Sequence, residues 1–202
     1  MEIMVYATVS GGSSRNSFQA VSEEGSSFFI PKEVFSRKHL HLNQELSEKE
    51  FFSLKDECEN LLCYNKALSL LASREYTRFD LKRKLLLKKF DSTVIDKVLD
   101  ALIDEGSLDE KRFAEAFIIS RVRRAQEGKP IMQLRLIQKG VPRDIADKIL
   151  SEKYTQDFTD ELIRTNIKRF QQKQISEQDI KFKLLKLGFT SYEIRRVFEE
   201  DF

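Results

Sequence analysis

The feature that most constrains this chain is an internal repeat. Leu81–Phe90 (LKRKLLLKKF) aligns without gaps on Met132–Val141 (MQLRLIQKGV) and again on Ile180–Phe189 (IKFKLLKLGF), a period of 51 and then 48 residues. Apolar positions recur at i, i+4 and i+5. Past a short break they continue at helical spacing through Val94-Ile95 with Val98-Leu99, Ile145-Ala146 with Ile149-Leu150, and Ile194 with Val197-Phe198. A period of this length means supersecondary units that bury their apolar faces against their neighbours. The expected fold class is mainly α, with three tandem three-helix units forming an elongated, curved array.

The helices are expected at 54–73, 78–89 and 92–104, at 109–126, 130–139 and 143–152, and at 156–172, 177–187 and 191–201. They make three repeats over 54–106, 107–154 and 155–202. Thr77 three before Asp80, Ser176 three before Asp179 and Thr190 three before Glu193 are N-cap signatures, because the hydroxyl can accept an orphan N–H of the first turn. Gly106, Gly140 and Gly188 stand where a helix ends in a left-handed residue. Ser107-Leu108-Asp109-Glu110 reads as a capping box, and Pro130 suits a first helical turn.

Residues 1–50 read differently. Met4–Val9, Ser17–Val21 and Ser26–Ile30 are β-favouring runs, the first two separated by Ser10-Gly11-Gly12-Ser13-Ser14 and the last stopped by Pro31. They predict a small three-stranded meander. Ser47-Glu48-Lys49-Glu50 then opens the helical part with a capping box.

With 34% charged residues, 35 Lys+Arg against 33 Asp+Glu, and only 7 Gly and 3 Pro, the composition argues for a folded helical chain rather than disorder or an all-β fold. Cys58 and Cys63 lie about 140° apart on a helix, so reduced, partly buried thiols are expected rather than a metal pair. No apolar run approaches bilayer length, and the N-terminus lacks the basic start and apolar run of a signal peptide. A soluble, cytoplasmic monomer is expected.

No catalytic constellation stands out. His39 and His41 have no carboxylate or thiol arranged for a metal, Asp109-Glu110 are explained by helix capping, and Gly11-Gly12 lacks the Lys-Ser/Thr of a phosphate loop. No enzyme activity, metal or cofactor is expected. The basic side chains are more informative. Residues 111–155 hold eleven basic and five acidic side chains, a local excess of six positive charges. The repeat aligns Lys84, Arg135 and Lys183 in one column of the second helix, about 120° round from an apolar stripe centred on Leu81, Leu85 and Leu86. Lys88 and Lys139 lie one turn further on the same flank, and Lys97, Lys148 and Arg196 form a column on the third helix. Arg121, Arg123 and Arg124 cluster at a helix end, with Lys129 close behind. Basic residues in register suit a partner that itself repeats, such as a filament or a phosphate backbone. As polar-flank positions, Arg135 and Lys139 are expected to tolerate charge reversal without loss of the fold.

Leu68–Leu81 (LSLLASREYTRFDL), Leu108–Ala114 (LDEKRFA) and Gln138-Lys139-Gly140-Val141 resemble the RecX family of recombinase regulators, over roughly residues 60 to 200. The resemblance implies a non-enzymatic protein that lies in the groove of the RecA–single-stranded DNA filament. There it would inhibit strand exchange, ATP hydrolysis and coprotease activity, with consequences for recombination, repair and the SOS response. Single-stranded DNA itself would be bound weakly and without sequence preference. The sequence departs from the family pattern in four places. Thr77 and Asp80 replace the usual Ser and Glu, Lys89 stands where glycine is usual, Arg135 where an acid is frequent, and only Lys129 follows Gly128. Lys89 therefore takes a strained left-handed conformation or a different turn. The alternatives are a helix-turn-helix transcriptional regulator, which the lack of an Arg/Asn/Gln base-reading cluster disfavours, and a helical adaptor without nucleic acid.

Overall fold

In the computed structural model, residues 6–12 and 18–201 are described. The N-terminal part is an antiparallel sheet of β1 (Ala7–Gly11), β2 (Phe18–Ser22), β3 (Ser27–Ile30) and β4 (Glu45–Leu46), in the order β3-β2-β1-β4. Three of these are the expected meander, while Met4, Val5, Ser13, Ser14 and Ser17 lie outside the described residues. The fourth strand and the six-residue helix α1 (Lys32–Arg37) are additions to the sequence reading. A two-residue strand is too short to leave an alternating pattern. Ala7, Val9, Ala20 and Ile30 point to one face of the sheet and are buried against Phe51, Leu54 and Cys58.

Those last three side chains belong to α2 (Glu48–Leu71), which begins at the Ser47/Glu50 capping box rather than at residue 54. Its first turns cover the sheet, so one 24-residue helix serves both the sheet and the first repeat. The remaining helices are α3 (Arg78–Leu86), α4 (Ser92–Asp104), α5 (Glu110–Ala125), α6 (Lys129–Gln138), α7 (Arg143–Lys153), α8 (Gln156–Gln171), α9 (Glu177–Lys186) and α10 (Ser191–Asp201). They form three triplets, with ends within a few residues of those expected. Burial raises the Cys58 thiol to about 12 and the Cys63 thiol to about 11, which leaves both unreactive.

The chain divides into two compact units, one of residues 1–73 and 82–107, the other of residues 74–81 and 108–202. In the first, Lys82 ties α3 to α4 through Asp96 at 2.6 Å, and the Tyr64 hydroxyl donates to Glu105 at 2.7 Å. In the second, Met132 and Leu136 of α6 share a core with Ile149 and Leu150 of α7, Ile163 and Ile167 of α8, and Ile180 and Leu184 of α9.

Each middle helix buries an i, i+4 pair: Leu81 and Leu85, Met132 and Leu136, Ile180 and Leu184. The third member of the expected stripe does not join them. Leu86, Ile137 and Leu185 are exposed, because a residue one past the pair points about 100° away from it. Short helices bury one narrow face.

The caps follow the sequence with one change. Thr77, Ser176 and Thr190 accept the backbone N–H of Asp80, Asp179 and Glu193. At α5, however, the cap is Asp109, which accepts from Lys111 and Arg112, so Ser107 and Glu110 do not form the expected box. Glu110 instead accepts the N–H of Arg78 at 2.8 Å and caps α3. Burial, opposed by that hydrogen bond, raises its carboxyl above the ordinary range.

Candidate functional site

The loop between α5 and α6 is the most elaborate polar construction in the second unit. After α5 the chain turns through Gln126, left-handed at φ 48°, into Glu127, whose side chain is only 6% exposed. Arg121 Nη2 donates to Glu127 Oε1 at 2.7 Å, Arg135 Nη2 to the same oxygen at 2.6 Å, and Arg135 Nε to Oε2 at 2.7 Å. Burial pushes the Glu127 carboxyl up, but the two guanidiniums outweigh it and hold the group below the usual carboxylate range. The same hydrogen bonds raise Arg135 further. The backbone is held as well. Tyr154 donates its hydroxyl to the Glu127 carbonyl at 2.9 Å, and Asn166 Nδ2 donates to the Gln126 carbonyl at 3.1 Å.

Next along the chain, Gly128 rests on the end of α9. Its N–H donates to the Leu187 carbonyl at 2.8 Å, and a Cβ there would lie 2.5 Å from the Gly188 carbonyl oxygen, so only glycine fits. An equivalent joint occurs one repeat earlier, also within the second unit. Thr77 aligns with Gly128 and Lys139 with Leu187, and the Thr77 hydroxyl donates to the Lys139 carbonyl at 2.7 Å. Lys139 Nζ also lies 3.9 Å from Asp80. Thus the end of α6 receives the turn before α3 just as the end of α9 receives the turn before α6.

The structure separates the basic residues into two sets, with Lys139 between them, exposed yet 3.9 Å from the Asp80 carboxylate. Arg121 and Arg135 are spent on Glu127, and Arg196 is hydrogen-bonded and ion-paired to the buried Asp160, linking α10 to α8. For Arg135 this corrects the expectation that the position tolerates reversal: it closes a buried carboxylate. Lys84, Lys88, Lys97, Arg123, Arg124, Lys129, Lys148 and Lys183 are exposed. Lys84, Lys88 and Lys97 belong to the first unit and the other five to the second, with Arg123 and Arg124 in the last turn of α5 and Lys129 in the first of α6.

Sequence reasoning missed Glu127, Tyr154 and Asn166. A signal for the first was present: Glu127 is the one acidic residue between 116 and 143, set between three arginines and Arg135. Nothing in the sequence brings Tyr154 or Asn166 to that loop. Lys89 is left-handed at φ 66°, like Gly140 and Gly188 at φ 88°, so the strained alternative is the one realised.

Two family models match the chain: RecX, first three-helix domain, over residues 63–102, and RecX, second three-helix domain, over residues 109–150. The regulatory protein RecX of Chlorobium phaeobacteroides is 33% identical over 146 residues, covering 69% of this chain and 93% of that protein. The regulatory protein RecX of Chlorobium limicola is 44% identical over 86 residues, covering 43% of this chain and 54% of the relative, so that match spans about half of the relative's length. A crystal structure of regulatory protein RecX superposes with a TM-score of 0.73, covering 97% of this chain and 100% of that one at 19% identity, a likeness of fold. The crystal structure of RecX from Lactobacillus salivarius gives a TM-score of 0.62 at 25% identity, covering 70% and 96% of the two chains. No helix among the described residues is long and apolar enough to cross a membrane.

Proposed function

The chain belongs to the RecX family, and from that premise we propose that it is a cytoplasmic, monomeric, non-enzymatic regulator of the RecA recombinase. It binds the RecA–single-stranded DNA filament and restrains strand exchange, ATP hydrolysis and coprotease activity, thereby modulating recombinational repair and the SOS response. The observation that carries this reading is the set of exposed basic residues recurring at equivalent positions of the three-helix units. Lys84 and Lys183 hold one repeat position on the two outer middle helices, and Lys97 and Lys148 hold another. A periodic array of cations suits a periodic polyanion or an acidic filament groove better than a single compact partner.

Arg123, Arg124 and Lys129 supply the densest positive charge in the second unit. These three, with Lys148 and Lys183 there and Lys84, Lys88 and Lys97 in the first unit, are the contact residues of this reading. Arg121, Arg135 and Arg196 act first through the carboxylates they neutralise. Contact with naked single-stranded DNA is weak and salt-sensitive, since a local excess of six charges engages few phosphates.

The test is RecA ATP hydrolysis on single-stranded DNA, titrated with the protein, beside anisotropy on random single strands and genomic duplex. Inhibition well below the concentration needed to bind naked DNA is the expected result. Tight binding to one duplex sequence, with no effect on the filament, would replace this reading with that of a transcriptional regulator.

A further inference from the structure

The exposed apolar residues of this protein are not scattered. Among the described residues thirteen large hydrophobic side chains are exposed, and five of them lie on the three middle helices at matching repeat positions. On α6 these are Leu134 and Ile137, 54% and 38% exposed, and on α9 Phe182 and Leu185, 56% and 45% exposed. On α3 the matching residue is Leu86; Phe79, and Leu87 just past the helix end, have no exposed large apolar counterpart in the other repeats. Leu86, Ile137 and Leu185 occupy one column of the repeat and Leu134 and Phe182 another, three residues apart and therefore on one side of each helix.

Isolated exposed hydrophobics need no explanation, but a recurring pair on successive units does. Core packing does not account for it, because each middle helix already buries its own i, i+4 pair on the opposite side. In the second unit the two faces are also joined end to end. The Gly128 N–H bonds the Leu187 carbonyl, which sets the start of α6 on the end of α9.

Resting on the filament reading above, we infer that the solvent-facing sides of α6 and α9 form a protein-docking stripe, fitted to a polymer surface whose apolar patches are bordered by carboxylates. The charge around the stripe selects this occupant. No Asp or Glu occurs from residue 128 to 143 or from 180 to 192, whereas Lys129, Lys139, Lys183 and Lys186 are exposed there. The Lys186 ammonium lies 4.4 Å from the centroid of the exposed Phe182 ring, an apolar anchor with a cation over it. A second copy of this chain would bring lysines against lysines. Nucleic acid fits the cations but only one member of the stripe, since Phe182 alone offers an aromatic plane to a base and Leu134, Ile137 and Leu185 do not. Apolar side chains of another protein gain from covering them.

The experiment replaces three exposed anchors together, Leu134→Gln, Phe182→Gln and Leu185→Gln, in the full chain. It compares melting, anisotropy on naked single-stranded DNA and inhibition of filament ATP hydrolysis with wild type. Expected are an unchanged melt, unchanged DNA binding and inhibition weakened by roughly a hundredfold, about the effect of uncovering two good apolar anchors. Inhibition equal to wild type would overturn the stripe while leaving the filament reading standing. A parallel loss of naked-DNA binding would overturn it in favour of a nucleic-acid surface. Wild-type protein without effect on the filament would remove the parent reading and the stripe together. A benzophenone side chain at position 134 of the otherwise native chain covers the case of a destabilised triple variant. An adduct on the recombinase supports the stripe, and an adduct on the DNA, or none, refutes it.

Discussion

Replacing Arg135 by Glu is the sharpest test of how the positive charge in this protein is divided. Two charge-assisted hydrogen bonds, of 2.6 and 2.7 Å, run from Arg135 to Glu127, and the substitution removes both. It also sets a second carboxylate beside one that is 6% exposed. Breaking a fully buried ion pair costs about 3–5 kcal/mol. Two features reduce that here: the Arg135 side chain is 39% exposed, so solvent screens part of the repulsion, and Arg121 remains on Glu127. A loss of roughly 2–4 kcal/mol is expected for Arg135→Glu, and about 1–2 kcal/mol for Arg135→Gln, which removes the attraction without adding repulsion.

Urea unfolding followed by circular dichroism reads these losses as a lower midpoint. Glu127→Gln in the Arg135→Glu background removes the facing negative charges and should recover a substantial part of the loss, because neighbouring sites are coupled. Lys183→Glu, at the equivalent position one repeat on, is the counterpart: exposed, it should leave the midpoint within about 0.5 kcal/mol of wild type while weakening the proposed inhibition of the filament. Unfolding of Arg135→Glu at the wild-type urea concentration, or no recovery from Glu127→Gln, would refute a stabilising Arg135–Glu127 pair.

Three further outcomes are expected. Gly140→Ala should cost about 2–4 kcal/mol in the same urea assay, since the new Cβ would stand 2.5 Å from the Cβ of Phe79 and the backbone is left-handed at φ 88°. Lys89→Gly should instead raise stability by ~0.5–1 kcal/mol, because Lys89 is exposed and holds φ 66° at a cost glycine does not bear. Glu127 has a folded-state pKa below its unfolded value. Its contribution is therefore complete above the unfolded value of about 4.3 and is lost as pH falls through the lower folded value, so Glu127→Gln should flatten stability against pH only in that acidic window.

What was legible in the sequence is what local chemistry and periodicity encode. Thr77, Ser176 and Thr190 announced their helices because a cap acts within four residues, and the buried i, i+4 pairs announced the core because both members lie on one turn. The strand Glu45–Leu46 was invisible because its partner Ala7 lies almost forty residues away and two residues carry no period. The basic columns were legible as columns but not as partners. Lys84, Arg135 and Lys183 align in sequence, yet only Arg135 meets a buried acid, because Glu127 reaches it across the α5–α6 turn and the equivalent residue one repeat earlier is Tyr76.

The joints explain why alignment alone could not reveal the site. At one, the donor is the Thr77 hydroxyl; at the next, the aligned residue is Gly128 and the donor is its backbone N–H. The carbonyls that accept belong to Lys139 and Leu187, so neither side of the joint has a fixed residue type. What recurs is a geometric requirement: the start of one middle helix must approach the end of the next closely enough to exclude a Cβ. Gly140 and Gly188 meet it where the first turn of the preceding middle helix packs on them, a Cβ there standing 2.5 Å from Phe79 and from Ile131. At Lys89 the same left-handed turn carries an exposed side chain, so glycine is optional for conformation there and obligatory only at a joint. Within the second unit, the spacing between the outward faces of α6 and α9 is therefore fixed by backbone contact rather than by loop length, while the Glu127 ion pairs tie α5 to α6. A substitution at Gly128 or Gly188, neither of which faces solvent fully, should displace Lys183 and Phe182 relative to Lys129 and Leu134 and so weaken the proposed inhibition of RecA ATP hydrolysis from outside the proposed contact surface.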